Sequence, residues 1–130
     1  MRKFVFWTGM ASVLVGVALQ CPSVSMQFMP SEPTSIAAHL FGALAFCIGA
    51  MLVLCSRDLK HRGTLVAWDG VLRLVGFVIM TSYGVLCNGG FPIALLGFLD
   101  GLIGVAYLVA LPRYLDVSLM DVLLDRNADS

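Results

Sequence analysis

Four long runs of apolar residues, separated by short polar breaks, dominate the sequence. They cover residues 4–20, 36–55, 64–86 and 91–111. A helix needs about 20 apolar residues to cross the hydrocarbon core of a bilayer, so the last three runs are long enough and the first is short. We expect the fourth run to end at Pro112, because proline interrupts a continuing helix. The pattern predicts four transmembrane helices.

The tail, residues 112–130, shows a different pattern. Its apolar positions Leu115, Leu119, Val122 and Leu123 alternate with the polar positions Asp116, Ser118, Asp121 and Asp125. This spacing predicts a short amphipathic helix. Such a helix would pack on the basic loop between the second and third runs or dock a partner protein. The predicted fold is an all-α integral membrane protein, a single four-transmembrane-helix bundle with a short cytoplasmic amphipathic C-terminal helix.

Lysine and arginine positions predict the orientation of these helices. Seven of the eight basic residues flank the runs on one side: Arg2, Lys3, Arg57, Lys60, Arg62, Arg113 and Arg126. The connections 20–35 and 87–90 contain none. Because basic residues concentrate in cytoplasmic loops, both termini are expected in the cytoplasm of a cell (inner) membrane.

The first run also fits a second interpretation. Two basic residues before a short apolar stretch are typical of a signal peptide, and Ser23-Val24-Ser25 offers small residues for cleavage. Cleavage would leave three transmembrane helices. A retained helix is favoured by small residues along one face of the run, at Gly9, Ser12 and Gly16, which suit close packing against another helix.

The composition supports a membrane location. Of 130 residues, 59% are hydrophobic and 12% are charged, and the mean hydropathy is +0.93. Soluble domains average about 45–50% apolar and about 25% charged residues. The formal net charge is zero, and no basic run or phosphate-binding glycine loop is present. Nucleic acid is therefore not an expected partner.

Glycines in the fourth run indicate where helices approach closely. Gly97 and Gly101 form a GxxxG pair, and Gly104 lies on the same side. Small residues let helix backbones approach in lipid. Two interpretations remain open: packing within a compact bundle, or a homo-oligomer formed through these three glycines.

Three charged residues within the third and fourth runs are the main candidates for a site. Asp69 and Arg73 are four residues apart, which favours an ion pair on one helix. At about 1.5 Å of rise per residue, Arg73 and Asp100 differ in depth by only about 5 Å. We therefore expect a buried ionic cluster of Asp69, Arg73 and Asp100, because charges in a membrane interior normally pair.

Tyr83 and Tyr107 follow the same helix faces, and His39 on the second run is a further candidate lining residue of this polar interior. The cluster has three interpretations. It could fix helix register without chemistry, form a binding site or proton path near the midplane, or pair with a partner subunit.

The remaining titratable residues give few signals of chemistry. Of four cysteines, Cys21 and Cys87 both flank the predicted outer side, where an oxidising compartment could join them in a disulfide. No paired histidine or cysteine motif for a metal or haem is present, so neither a metal nor a cofactor is predicted. No catalytic residue is assigned, and an enzymatic activity is not expected.

The segment Leu40–Leu59, LFGALAFCIGAMLVLCSRDL, resembles small bacterial four-helix membrane proteins of the DoxX-like and BphX-like groups. The resemblance rests on this phrase and on the number and length of the apolar runs. It implies a four-helix bundle, often encoded beside metabolic or redox enzymes. It carries over no functional residue.

Three functions are compatible with these features. The favoured hypothesis is a non-enzymatic accessory or scaffold component of a membrane complex. The second is a small transporter or proton-coupled carrier built around the Asp/Arg cluster. The third is a membrane redox subunit that binds a quinone-like ligand in the bundle.

Overall fold

The computed structural model describes residues 1–21, 36–86 and 91–125, and within them the chain is helical, with no β-strand. Five helices follow in order within these described ranges: α1 (Arg2–Ala18), α2 (Ile36–Cys55), α3 (Leu59–Leu86), α4 (Phe91–Leu115) and α5 (Leu119–Leu123). They belong to two compact units. The first unit, Lys3–Ser56, contains α1 and α2. The second, Met1–Arg2 with Arg57–Ser130, contains α3, α4 and α5.

In the first unit, glycines bring the backbones of α1 and α2 together. A Cβ on Gly16 would lie 2.7 Å from the carbonyl oxygen of Gly42, and one on Gly49 would lie 2.6 Å from that of Gly9. The two helices are therefore antiparallel. Because no side chain separates the backbones at these points, larger residues at Gly9 or Gly16 would force them apart.

In the second unit, α3 and α4 form an antiparallel hairpin. Gly70 faces Gly104, where a Cβ on either would lie 3.2 or 2.8 Å from the other's carbonyl oxygen. Gly101 packs on Phe77, and a Cβ on Gly84 would lie 2.7 Å from the main-chain nitrogen of Ala94. Small residues thus line the contact along most of its length.

Helix α3 begins at Leu59, five residues before the predicted start of the third run at residue 64. The segment carrying Lys60, His61 and Arg62 is its first turns and not a loop. Polarity predicted a loop there, but Asp58 precedes the helix and its carbonyl accepts the Arg62 N–H at 3.1 Å. Aspartate is favoured at this position because its side chain satisfies N–H groups of the first turn.

Helix α4 continues through Pro112 to Leu115, so the predicted end at Pro112 is wrong. Pro112 has no N–H to bond the Leu108 carbonyl, so α4 lacks that hydrogen bond, but the helix continues for three more residues. The helix instead ends where Asp116 adopts a φ of 59°. The N–H of Val117 then bonds the Pro112 carbonyl at 3.1 Å, as in a Schellman motif.

The short helix α5 packs beside the beginning of α3. Ser118 caps it by accepting the N–H of Asp121 at 3.1 Å. The Trp68 indole N–H donates to the Leu123 carbonyl at 3.3 Å, and Thr64 Oγ1 donates to Asp125 Oδ1 at 2.7 Å. The predicted amphipathic helix is therefore five residues long and lies on the first turns of α3.

Among the described residues, two helices are long and apolar enough to cross a membrane, Leu59–Ser82 and Ile93–Leu115. Only 28% and 22% of their most apolar stretches are buried within the protein. Their large apolar side chains mostly face outward. The exposed set on these two helices includes Leu65, Trp68, Leu72, Val78, Ile79, Phe98, Leu102, Val105 and Val109.

Candidate functional site

The structure brings Asp69, Arg73 and Asp100 together between α3 and α4. Arg73 Nε donates a hydrogen bond to Asp69 Oδ2 at 2.7 Å, one turn earlier on the same helix. Arg73 Nη1 donates to Asp100 Oδ1 on α4. The arginine therefore uses two edges of one guanidinium to bind two carboxylates on different helices.

A glycine on α4 makes room for this ion cluster. A Cβ on Gly104 would lie 3.1 Å from the Cβ of Arg73, so the arginine stem passes directly over Gly104. The nearest atom to a Cβ on Gly76 is Asp100 Oδ2, at 3.4 Å. A Cβ on Gly76 would make only an ordinary van der Waals contact at that distance, so the missing side chain of Gly104 is what lets Arg73 and Asp100 meet between the two helices.

The members of the cluster differ in exposure. The Asp69 and Arg73 side chains are 2% and 10% exposed, whereas Asp100 is 30% exposed. The Arg73 guanidinium carbon also lies 5.9 Å from the centre of the fully buried Tyr107 ring, a cation–π distance. Two carboxylates and one guanidinium sum to one formal negative charge if all are ionised.

Two further residues, Tyr83 and His39, were predicted to line the same polar interior. The side chain of Tyr83 lies outside the described part of the structure. His39 belongs to the first unit, where its Nδ1 lies 3.0 Å from Gln20 Oε1. Gln20 Nε2 also donates to the His39 carbonyl at 3.1 Å. Gln20 thus binds both the side chain and the backbone of His39.

A second small polar site lies at the beginning of α3. His61 Nδ1 is 3.1 Å from both carboxylate oxygens of Asp58. The hydrogen bond from the His61 ring, helped by one from the His61 backbone, lowers the pKa of Asp58 below its usual value of 3.8. Both side chains face solvent, so this pair is a helix cap with little shielding.

The predicted disulfide lies partly outside the described residues, because Cys87 is not among them. Cys21 is an exposed free cysteine, and its pairing with Cys87 stays a prediction. Within the described residues, no group of three or more His, Cys, Asp or Glu side chains is placed to hold a metal ion.

The glycines of the predicted oligomer face have partners within the chain. Gly97 lies against Met80 and Thr81, Gly101 against Phe77, and Gly104 against Gly70. The sequence left packing within the chain and between chains open, and the structure gives an intrachain contact. Self-association through the same glycines stays a prediction.

Sequence reasoning missed several polar contacts. Gln20 was assigned only to the outer connection, and Trp68 and Thr64 were not singled out at all. Their contacts join residues 19, 55 and 61 positions apart, respectively. No local pattern marks such pairs. The only available signal was the presence of hydrogen-bonding side chains at the ends of apolar helices.

Comparison with known proteins gives no match: no family model, no curated protein and no solved structure is significantly similar to the chain.

Proposed function

We propose that the chain is an integral membrane protein with four transmembrane helices and both termini in the cytoplasm. Support comes from α3 and α4, because many of their large apolar side chains face outward, where exposure to water would be unfavourable. Exposed apolar surface costs about 25 cal/mol per Å², and lipid removes that cost. The absence of lysine and arginine from connections 20–35 and 87–90 supports the orientation.

Within the membrane, we assign the protein a non-enzymatic role as an accessory or scaffold component of a larger complex. One observation carries this assignment. Arg73, in the middle of α3, is bound by two carboxylates of its own hairpin, those of Asp69 and Asp100. The buried charges therefore hold α3 and α4 together, and the outward surface offered to partner helices is apolar.

The test is the size of the assembly that forms in the native membrane. The chain, tagged at its C-terminus, is extracted in a mild detergent and separated by blue native electrophoresis. We expect a discrete band well above that of the purified 14.0 kDa chain in the same detergent. Migration of the native extract as the isolated chain, with neither partner nor self-association, would contradict the accessory role.

A second function, a small proton-coupled carrier, is favoured by the 30% exposure of Asp100. This carboxylate is more accessible than its two partners, and intramembrane carboxylates often mark proton pathways. In that function, Asp100 would take up and release protons while Asp69 keeps its ion pair with Arg73.

Proton flux separates the two functions. Purified protein is reconstituted in liposomes containing a pH-sensitive dye, and a potassium diffusion potential drives proton entry. The accessory role predicts the same flux as empty liposomes. A flux that Asp100→Asn abolishes, while the protein keeps its helicity and its yield in liposomes, would establish the carrier function instead.

A further inference from the structure

Four basic residues gather at one end of the α3–α4 hairpin. Arg57 precedes α3, Lys60 and Arg62 lie in its first turn, and Arg113 lies in the last turn of α4. A Cβ on Gly63 would lie 2.8 Å from Leu115 Cδ1. The beginning of α3 and the end of α4 are therefore side by side, and the four cations share this end.

None of these cations forms a salt bridge within the described residues, although the charge of Arg62 contributes to lowering the pKa of Asp58. All four side chains are exposed, and the ion pairs found there involve only His61 and Arg73 as cations. Three of the neighbouring acids are bound to other groups. Asp58 binds His61, Asp121 binds Ser118, and Asp125 binds Thr64.

The basic end continues the apolar outer faces of both helices. On α4 the exposed residues Leu95, Leu102, Val105 and Val109 follow helical spacing, and Arg113 comes four residues after Val109. On α3 the exposed residues are Leu65, Trp68, Leu72, Val75 and Ile79. Trp68 and Tyr114, each about half exposed, lie at the basic end. Aromatic residues of this kind prefer the membrane–water interface.

We propose that this end of the hairpin binds the phosphate of an anionic phospholipid, with the lipid's acyl chains along the apolar face of α4. Arg62 and Arg113 supply the guanidinium groups, which bind phosphate oxygens through two parallel hydrogen bonds. The inference rests on the proposed membrane insertion. Four acids lie nearby and reduce the net positive charge at this end: Asp58, Asp116, Asp121 and Asp125. Long-range attraction of an anionic lipid is therefore small, and selectivity depends on direct contact between the arginines and the lipid phosphate.

The test compares two lipids with identical acyl chains. Purified full-length protein in detergent is titrated with phosphatidylglycerol or phosphatidylcholine, and bound lipid is counted by native mass spectrometry. We expect phosphatidylglycerol to bind about tenfold more tightly. The double variant R62Q/R113Q should lose this preference. The matched control, R2Q/K3Q, removes the same charge at the start of α1 and should retain it.

Other outcomes would overturn the inference. These are equal binding of the two lipids by the wild type, equal loss in both double variants, or equivalent occupancy by inorganic phosphate without lipid. The variant R62K/R113K, which keeps the charge, should recover most of the preference, and circular dichroism checks that every variant keeps its helices. Alkaline carbonate extraction of native membranes tests insertion separately. Release of the protein would refute the proposed function, whereas retention without lipid preference would refute only this inference.

Discussion

Arg73 is the residue with the largest expected effect on stability. Its guanidinium satisfies one carboxylate on its own helix and one on the neighbouring helix. Removing it leaves two acids facing each other in an apolar environment. Removing one acid instead leaves Arg73 with a single partner. Loss of Arg73 is therefore expected to destabilise the contact between α3 and α4 more than loss of either carboxylate does.

We predict that Arg73→Gln lowers the free energy of unfolding by about 3 kcal/mol, because it leaves Asp69 and Asp100 without their cation. The measurement is unfolding of the purified protein in nanodiscs or detergent, followed by circular dichroism. The double variant R73Q/D100N should recover part of the loss, because it removes the second buried charge. Wild-type stability in R73Q would show that the ion cluster is not needed for the fold.

The stability of the protein is expected to depend on pH through Asp58, at the beginning of α3. Its pKa is lowered in the folded protein by the hydrogen bond with His61. A lowered pKa means that the ionised carboxylate stabilises the fold above pH 3.8, and this contribution is lost as the pH falls through the folded-state pKa. Wild-type protein should therefore exceed Asp58→Asn in thermal stability at neutral pH, and the difference should disappear once the pH falls below the folded-state pKa of Asp58.

Asparagine is the matched control in that comparison, because it caps helices about as well as aspartate but carries no charge. A wild-type advantage that is unchanged at acidic pH would show that the Asp58 carboxylate contributes through shape alone.

At the scale of helices, glycine positions determine how closely α3 and α4 approach. We predict that Gly104→Ala destabilises the protein by about 2 kcal/mol, because its Cβ would lie 2.8 Å from the Gly70 carbonyl oxygen. Backbone atoms cannot move aside without separating the helices. The change in the free energy of unfolding measures the effect.

Gly76→Ala is the matched control on the same interface. Its Cβ would meet no atom closer than 3.4 Å, so stability should be unchanged or rise by up to about 1 kcal/mol from the higher helix propensity of alanine. Equal losses in the two variants would show that the close approach of Gly104 to Gly70 does not explain the effect.

The sequence predicted some of these elements well and others only in part. Apolar runs predicted α2 at its observed bounds, residues 36–55, because the run ends at polar residues that also end the helix. The apolar runs misplaced the start of α3 and the end of α4. A run marks only the apolar part of a helix, and both helices extend into polar sequence beyond their runs. Helical spacing placed Asp69 beside Arg73, but only the fold determines that Gly104 leaves space for the Arg73 side chain to reach Asp100.

At the scale of the whole molecule, retention of the first helix determines how many spans exist. Gly9 and Gly16 of α1 lie against the backbone of α2, as a permanent partner helix would and a removable signal peptide need not. We predict that protein purified from membranes retains residues 1–25, which peptide mapping by mass spectrometry checks. Loss of residues 1–25 would show cleavage after Ser25 and leave three spans.

The proposed topology has four transmembrane helices and both termini in the cytoplasm. Fusions of reporter proteins at the helix ends test this topology most directly. Green fluorescent protein or alkaline phosphatase is joined within connections 20–35 and 87–90, after Asp58, and after residue 130. We predict phosphatase activity at the first two sites and fluorescence at the last two, with all fusions retained in membranes after an alkaline wash. Phosphatase activity at the C-terminus, or release of the fusions by the wash, would contradict a four-span protein with both ends in the cytoplasm.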